Sequence, residues 1–442
     1  MYNPIRIALA GMVAWAFFWL VTPVYPTASL SPTAMLFIAF CYLGFFVGCA
    51  AYPMVTGVSE RTVPAYDWQR PTSYGLYWLS MAIGLAGMGL RLYDRIALRG
   101  VDYSASASEL RETLSNVSAG SLGAIAGVLF PFCLVPLIVL LASKFKPRQI
   151  PLYILASAVF VLPTIESLAQ LSRSVLLLSV VMIFAAVTCT KFRGNPVNRK
   201  LLLATVAFIV LMGAVSTIIF VNRLEGEDRQ LSASVITSVY AENLQPTETA
   251  WAGLVAGSDL EKRYYSIILP NGMYYISGAY EFSTLWLRPD QQTFAYGAYN
   301  LIAFVRAVQI LFAPNAQPLD ESALVYRVGV FQTFFGNAWV DFGYFAPLVL
   351  VAFGFFCRFL GLRARAGNLN VLPLYLFMAV VIFFMPVGNF INGGLGNFGL
   401  AALGLVAMFG PRRAAEAAEP PAELILPHSP GAALNPAAGA AD

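Results

Sequence analysis

Histidine is almost missing from this chain of 442 residues, and the one present, His428, sits in an Ala/Pro-rich C-terminal stretch. With no histidine in the loops between apolar runs, Ser-His and Cys-His nucleophile systems lack their base. Cysteine is scarce too. Cys41, Cys49, Cys133, Cys189 and Cys357 lie inside or at the edges of apolar runs, with no CxxC and no Cys/His cluster. That placement argues against structural disulfides and reads as small residues of a membrane core. Charged residues reach only 11%, against about 25% in soluble domains. There is no P-loop, no GxGxxG after a strand, no HExxH and no GxSxG, so nucleotide-driven pumps, dinucleotide enzymes, zincins and α/β-hydrolases drop out. No internal repeat is visible, which weighs against transporter folds built from duplicated bundles, and no feature points to nucleic acid.

What the chain does have is apolar length. Hydrophobic residues make up 58% and mean hydropathy is +0.69. A bilayer crossing takes about 17–25 apolar residues, and runs of that kind fall at 5–24, 31–52, 72–90, 121–142, 150–167, 174–190, 201–221, 343–361, 371–389 and 394–410. The first run, Ile5–Leu20, continues to Tyr25 with no A-x-A-like exit and reads as a retained signal anchor. Two weaker runs follow. Residues 264–287 are interrupted by Pro270-Asn271-Gly272 and carry Glu281, and 298–313 is short and carries Arg306. An arginine at a lipid-facing midplane costs about 2.5–3.5 kcal/mol even on insertion scales, so both are expected to be re-entrant or interfacial helices. Counting them as an extra pair gives twelve spans and the same sidedness. The expected fold class is therefore an all-α polytopic membrane protein of 10–12 spans. Its parts are seven spans over 1–221, a large outer segment over 222–342, three spans over 343–410, and a disordered cytoplasmic tail over 411–442.

The basic residues divide by side. Arg61/Arg70, Lys144/Lys146/Arg148, Lys191/Arg193/Arg199/Lys200, Arg358/Arg363/Arg365 and Arg412/Arg413 fall in alternate connections. By the positive-inside rule these face the cytoplasm, with both termini. The other side carries 12 of the 27 basic residues: arginines 91, 95, 99, 111, 173, 223, 229, 263, 288, 306 and 327, and Lys262. Arginine-rich, charge-mixed outer loops exceed what topology requires and suggest recognition of an anion, for which the planar guanidinium fork is suited.

Several groups stand out on that side. Glu166, Gln170 and Arg173 share one helical face. They form either a local ion pair at a wet interface or a phosphate grip in which Arg173 points into an outward cavity. Arg223 follows the seventh run and is either a snorkelling anchor or a second anion ligand. Arg91-Asp94-Arg95-Arg99 continues the third run and reads as a solvated charged face, and Arg111 as surface. The outer segment is rich in rings, among them Tyr274, Tyr275, Tyr280 and Trp286. They fit an interfacial belt or a sugar groove beside Glu281, Asp290 and Asp341. Asp341 abuts an apolar span and is expected to face a cavity or a partner.

Ser172-Arg173-Ser174 between two middle spans, Arg223 after the next, the stretch Tyr274-Tyr275…Gly278-Ala279-Tyr280-Glu281-Phe282, and Phe331…Gly336 followed by Asp341-Phe342-Gly343 carry a resemblance. Over about 1–410 the chain resembles the bacterial oligosaccharide repeat unit (O-antigen, Wzy-type) polymerases. The resemblance implies a metal-independent, cofactor-free membrane glycosyltransferase of the GT-C type in the bacterial inner membrane. Such an enzyme joins repeat units carried on undecaprenyl pyrophosphate at the periplasmic face, for O-antigen, capsule or exopolysaccharide. Its substrates are a lipid-linked oligosaccharide donor and acceptor, and a chain-length regulator and a flippase are implied partners. It further implies Arg173 and Arg223, then Arg288 and Arg306, on the pyrophosphate. Asp341 or Glu281 is implied as base or sugar ligand, and Tyr274, Tyr275, Tyr280 and Trp286 beside the sugar. The related ligases typically use a histidine in a large periplasmic loop, which this chain lacks. A lipid-linked oligosaccharide flippase is the alternative of a different class and would use the same arginines within a central cavity.

Overall fold

The first two helices start where the sequence supplies a cap. Asn3 accepts from the Ile5 amide ahead of Pro4, and Ser31 accepts from the Ala34 amide ahead of Pro32. The computed structural model describes residues 1–66, 68, 74–103, 113, 120–143, 146–169, 174–192, 242–288, 294–313, 315–317, 319–325, 327–330 and 332–410. The expected span at 201–221, the tail 411–442, and Arg111, Gln170, Arg173, Arg223 and Asp290 lie outside these residues.

The N-terminal part runs α1 (Pro4–Val21), α2 (Pro32–Thr56), α3 (Gly75–Tyr93), α4 (Ser121–Leu129), α5 (Val135–Leu141), α6 (Ile150–Ala169) and α7 (Ser174–Lys191). After it come α8 (Glu248–Val255), α9 (Asp259–Trp286), α10 (Ile302–Phe312), α11 (Glu321–Leu324), α12 (Phe334–Phe342), α13 (Ala346–Arg365), α14 (Leu372–Phe384) and α15 (Gly394–Phe409). Among the described residues a single pair of three-residue antiparallel strands, β1 (Val24–Pro26) and β2 (Leu244–Pro246), pairs Tyr25 with Gln245. Six helical stretches among the described residues are long and apolar enough to cross a membrane: Pro4–Val21, Pro32–Thr56, Gly75–Leu98, Ser121–Leu141, Pro147–Leu168 and Phe334–Arg365. Residues 175–191, 372–384 and 394–409 are apolar but shorter. The chain is thus an α-helical protein of multi-pass membrane type.

Helices α2 and α13 pack closely, and glycine makes it possible. A Cβ at Gly48 would lie 1.9 Å from the Val351 carbonyl oxygen, one at Gly44 2.3 Å from that of Pro347, and one at Gly354 2.1 Å from that of Phe45. Backbone meets backbone there, which is how helices associate when lipid supplies no hydrophobic drive. All five cysteines are free and buried in this packed interior.

Two expectations fail locally. The Pro270-Asn271-Gly272 break does not occur, because α9 runs through it for 28 residues. The Asn271 side-chain amide donates to the Ile267 carbonyl at 2.7 Å, and Gly272 leaves room for the Thr22 side chain. A proline whose neighbours re-satisfy the backbone is tolerated in such a helix. The run expected over 371–389 is helical only over α14, and Met385-Pro386-Val387 turns the chain out of it.

Helix ends joined by Lys/Arg-rich connections meet at one end of the bundle. Tyr2 donates to the Cys189 carbonyl, Trp68 donates to Tyr2, Arg358 pairs with Glu60 at 2.6 Å, and Arg365 donates to the Val63 carbonyl. Residues of α3, α6 and α7 and the start of α15 line the candidate site.

Candidate functional site

Past Tyr93 the third helix widens into a π-helical turn, Asp94–Leu98, in which the Arg99 amide donates to the Asp94 carbonyl. Such turns recur at functional sites because they re-aim side chains. Here Arg91 and Arg95, four positions apart and so on one face, both reach Glu166 at the end of α6. Arg91 Nε lies 2.7 Å from Glu166 Oε2 and 2.9 Å from Oε1, and Arg95 pairs with Oε1. Glu166 is 5% exposed at its side chain, Arg91 22% and Arg95 11%. The Arg91 guanidinium also sits 4.4 Å over the Phe130 ring. Next to them Arg99 pairs with Asp94 at 2.7 Å in space left by Gly123, where a Cβ would lie 2.8 Å from both partners. The charged face expected at the surface over Arg91–Arg99 is therefore buried: Asp94 is 3% exposed and Arg95 9%. The signal that could have revealed it is Glu166, a carboxylate inside an apolar run that needs a buried partner.

These groups border a cavity of about 380 Å³, within the range of small-molecule sites. Arg91, Arg95 and Glu166 form its charged part. Phe130, Phe390 and Leu395 give apolar walls, and Asn389, Asn392 and Gly393-Gly394 supply amides and open backbone. Helix α15 starts there, at Gly393 (φ 97°), with no side chain capping it, so its partial positive charge adds to that of the guanidiniums. Among the described residues, two guanidiniums against one carboxylate leave an excess positive charge, and Arg99 and Asp94 cancel.

The amide part is built from a hydrogen-bonded chain. Asp341 is fully buried, and its carboxylate accepts from the Tyr299 amide at 3.0 Å, the Asn300 amide at 2.9 Å and the Asn300 side-chain amide. Asn300 Oδ1 accepts from the Asn389 side chain, and the Tyr299 hydroxyl lies close to Asn392. Asn397 donates to the Asn300 carbonyl at 2.8 Å and the Ile391 carbonyl at 2.6 Å, while its oxygen accepts from the Ala303 and Phe304 amides that open α10. Burial, with the Glu321 and Asp341 charges, holds the Tyr299 phenol well above its usual range, so it stays protonated.

The other expected residues lie apart from the cavity lining. Glu281, 3% exposed, pairs with Arg327 and accepts from Asn243, and Arg327 reaches Glu242 at 3.5 Å. Arg306 is on the exterior, paired with Glu321 at 2.7 Å, and Arg288 is exposed just beyond α9. Tyr275 stacks on Phe18 at 4.2 Å and Tyr280 on Trp19 at 5.5 Å, while Tyr274 is buried beside Tyr275. Those three rings pack between helices. Trp286 contacts Trp339 at 4.4 Å and donates to Thr33. Among the described residues no group of three His, Cys, Asp or Glu is placed to hold a metal. The chain matches no protein-family model, no curated protein and no solved structure.

Proposed function

We propose that the chain is an oligosaccharide repeat unit polymerase, a metal-independent glycosyltransferase of a bacterial inner membrane. It joins repeat units carried on undecaprenyl pyrophosphate at the outer face. In this reading the fold is GT-C-like with 10–12 spans, both termini are cytoplasmic, and 222–342 belongs to the periplasmic side. A flippase delivers the substrate and a chain-length regulator acts with the enzyme.

The observation that carries the reading is a cavity in which Arg91 and Arg95 share the single carboxylate of Glu166. A lipid diphosphate entering it displaces Glu166 from the guanidiniums and takes their charge-assisted hydrogen bonds. The acceptor hydroxyl oxygen then bonds to the donor's anomeric carbon. The bond from that carbon to the diphosphate breaks, and its electron pair leaves on the carrier diphosphate, where the arginines stabilise it. Glu166, freed by the exchange, receives the hydroxyl proton. We assign the proton to Glu166 ahead of Asp341 and Glu281, whose oxygens are committed to Tyr299/Asn300 and to Arg327/Asn243. Arg173 and Arg223 join the diphosphate site on sequence grounds.

The test is deletion of the gene in its host and complementation with Arg91→Ala, Arg95→Ala, Arg173→Ala or Arg223→Ala, scored by glycan length on gels. The account expects single-repeat products at the outer face. Repeats trapped inside would mark a flippase, and long polymer left on the carrier would mark a ligase.

A further inference from the structure

The cavity has two chemically different parts, and only one is explained by an anion. Asn389 and Asn392 carry no charge, yet Asn389 is fixed in place by a dedicated buried scaffold with Asn392 three positions on. Two consecutive residues, Tyr299 and Asn300, donate both backbone amides to Asp341. Their side chains then diverge: Asn300 holds Asn389 by a hydrogen bond, and the Tyr299 hydroxyl lies close to Asn392. Asn389 Oδ1 also accepts from the Ile391 amide at 2.9 Å, which sets the turn. Asn389 is 3% exposed and Asp341 0%.

A primary amide offers two donor hydrogens and an acceptor oxygen with two lone pairs. The bonds they make leave part of that capacity open on each asparagine, beside an apolar ring, Phe390, in the same wall. Neutral donors and acceptors next to a ring suit vicinal hydroxyls and do nothing special for a diphosphate.

We propose that Asn389 and Asn392 form a sugar subsite adjoining the arginines, which binds the hydroxyls of the first sugar attached to the diphosphate. Asp341 is its positioning residue, acting through Tyr299 and Asn300. This rests on the reading of the cavity as a diphosphate site. It gives Asp341 a role away from proton transfer and links the outer segment to the cavity.

The experiment uses the full chain in nanodiscs, titrated with farnesyl pyrophosphate and with farnesyl-pyrophosphoryl glucose, galactose and N-acetylglucosamine. For at least one of these sugars the wild type is expected to bind the glycosylated probe about tenfold more tightly than the bare diphosphate, the scale of one or two neutral hydrogen bonds. Asn392→Ala and Asp341→Asn should bring that ratio to about one. Tyr299→Phe removes a single hydroxyl outside the cavity lining and keeps the proposal testable if Asp341→Asn fails to fold; it should lower the ratio as well. A role confined to folding would lower thermal stability and weaken both probes alike, leaving the ratio intact, and that result overturns the proposal. A ratio near one in the wild type for all three sugars overturns it too. The underlying diphosphate reading fails separately, if farnesyl pyrophosphate binds equally well to wild type and to Arg91→Ala/Arg95→Ala.

Discussion

Two buried arginine–glutamate clusters in this molecule are assembled from the same residue types and differ in stoichiometry. At the end of α3 two guanidiniums share Glu166, and the group opens on a cavity. Beside α9 one guanidinium, Arg327, is shared by Glu281 and Glu242, with Asn243 donating to Glu281 as well. Among the described residues the first sets two guanidiniums against one buried carboxylate, whereas in the second Arg327 matches the buried Glu281 and Glu242 is 55% exposed to solvent. Burial makes an unmatched charge costly, so the surplus at the first cluster indicates what it can accept. An anion completes the first, whereas the second is saturated and acts as a clamp between α9 and the chain flanking β2.

Breaking the clamp should give the largest effect on stability. Arg327→Ala strands Glu281 in a buried site and should cost about 3–5 kcal/mol, read as a lower melting temperature and poor recovery of folded protein. Replacing the pair by apolar residues of similar size, Arg327→Met with Glu281→Leu, should recover most of that stability, with diphosphate affinity close to wild type. If the single and double variants melt alike, the clamp reading is wrong. At the cavity, Glu166→Gln should lower stability in the free protein, because two guanidiniums lose their counter-charge. It should also tighten farnesyl pyrophosphate binding about tenfold, since a charged hydrogen bond is worth about 1.5–3 kcal/mol. Added diphosphate should then raise its melting temperature more than it raises that of the wild type; weaker binding would count against the exchange of Glu166 for ligand. The smallest effect belongs to Arg306, whose pair with Glu321 leaves its side chain 48% exposed. Arg306→Ala should change stability by about 0–1 kcal/mol and leave glycan length unaltered, as gels and melting curves would show.

The helical, multi-pass class was legible from apolar length alone, and so were the buried, unpaired cysteines. Individual lengths were less so. Pro270 looked like a break, yet Asn271 and Gly272 accommodate it within α9, whereas Pro386 does end α14. The site was legible only in part. In sequence Glu166 stands out with Gln170 and Arg173 on one helical face; those two lie outside the described residues, and the partners found, Arg91 and Arg95, come from another helix, Arg91 from 75 positions away. Periodicity sees one helix at a time and cannot register a pairing between two. The asparagines escaped notice for a similar reason: Asn300, Asn389 and Asn397 are unremarkable in sequence and gain meaning only when Asp341 and the cavity wall meet. The tyrosines of α9 advertised a sugar groove, and their rings pack against Phe18 and Trp19. Ring content alone does not distinguish a platform from a helix interface.

The central claim is that surplus guanidinium at Arg91 and Arg95 holds a lipid diphosphate. Calorimetric titration of farnesyl pyrophosphate into the full chain in nanodiscs, wild type against Arg91→Ala/Arg95→Ala, tests it most directly. The account predicts a loss of about 100-fold or more in affinity in a variant that remains folded, from two charged hydrogen-bonding groups. Affinity within twofold of the wild type would contradict it.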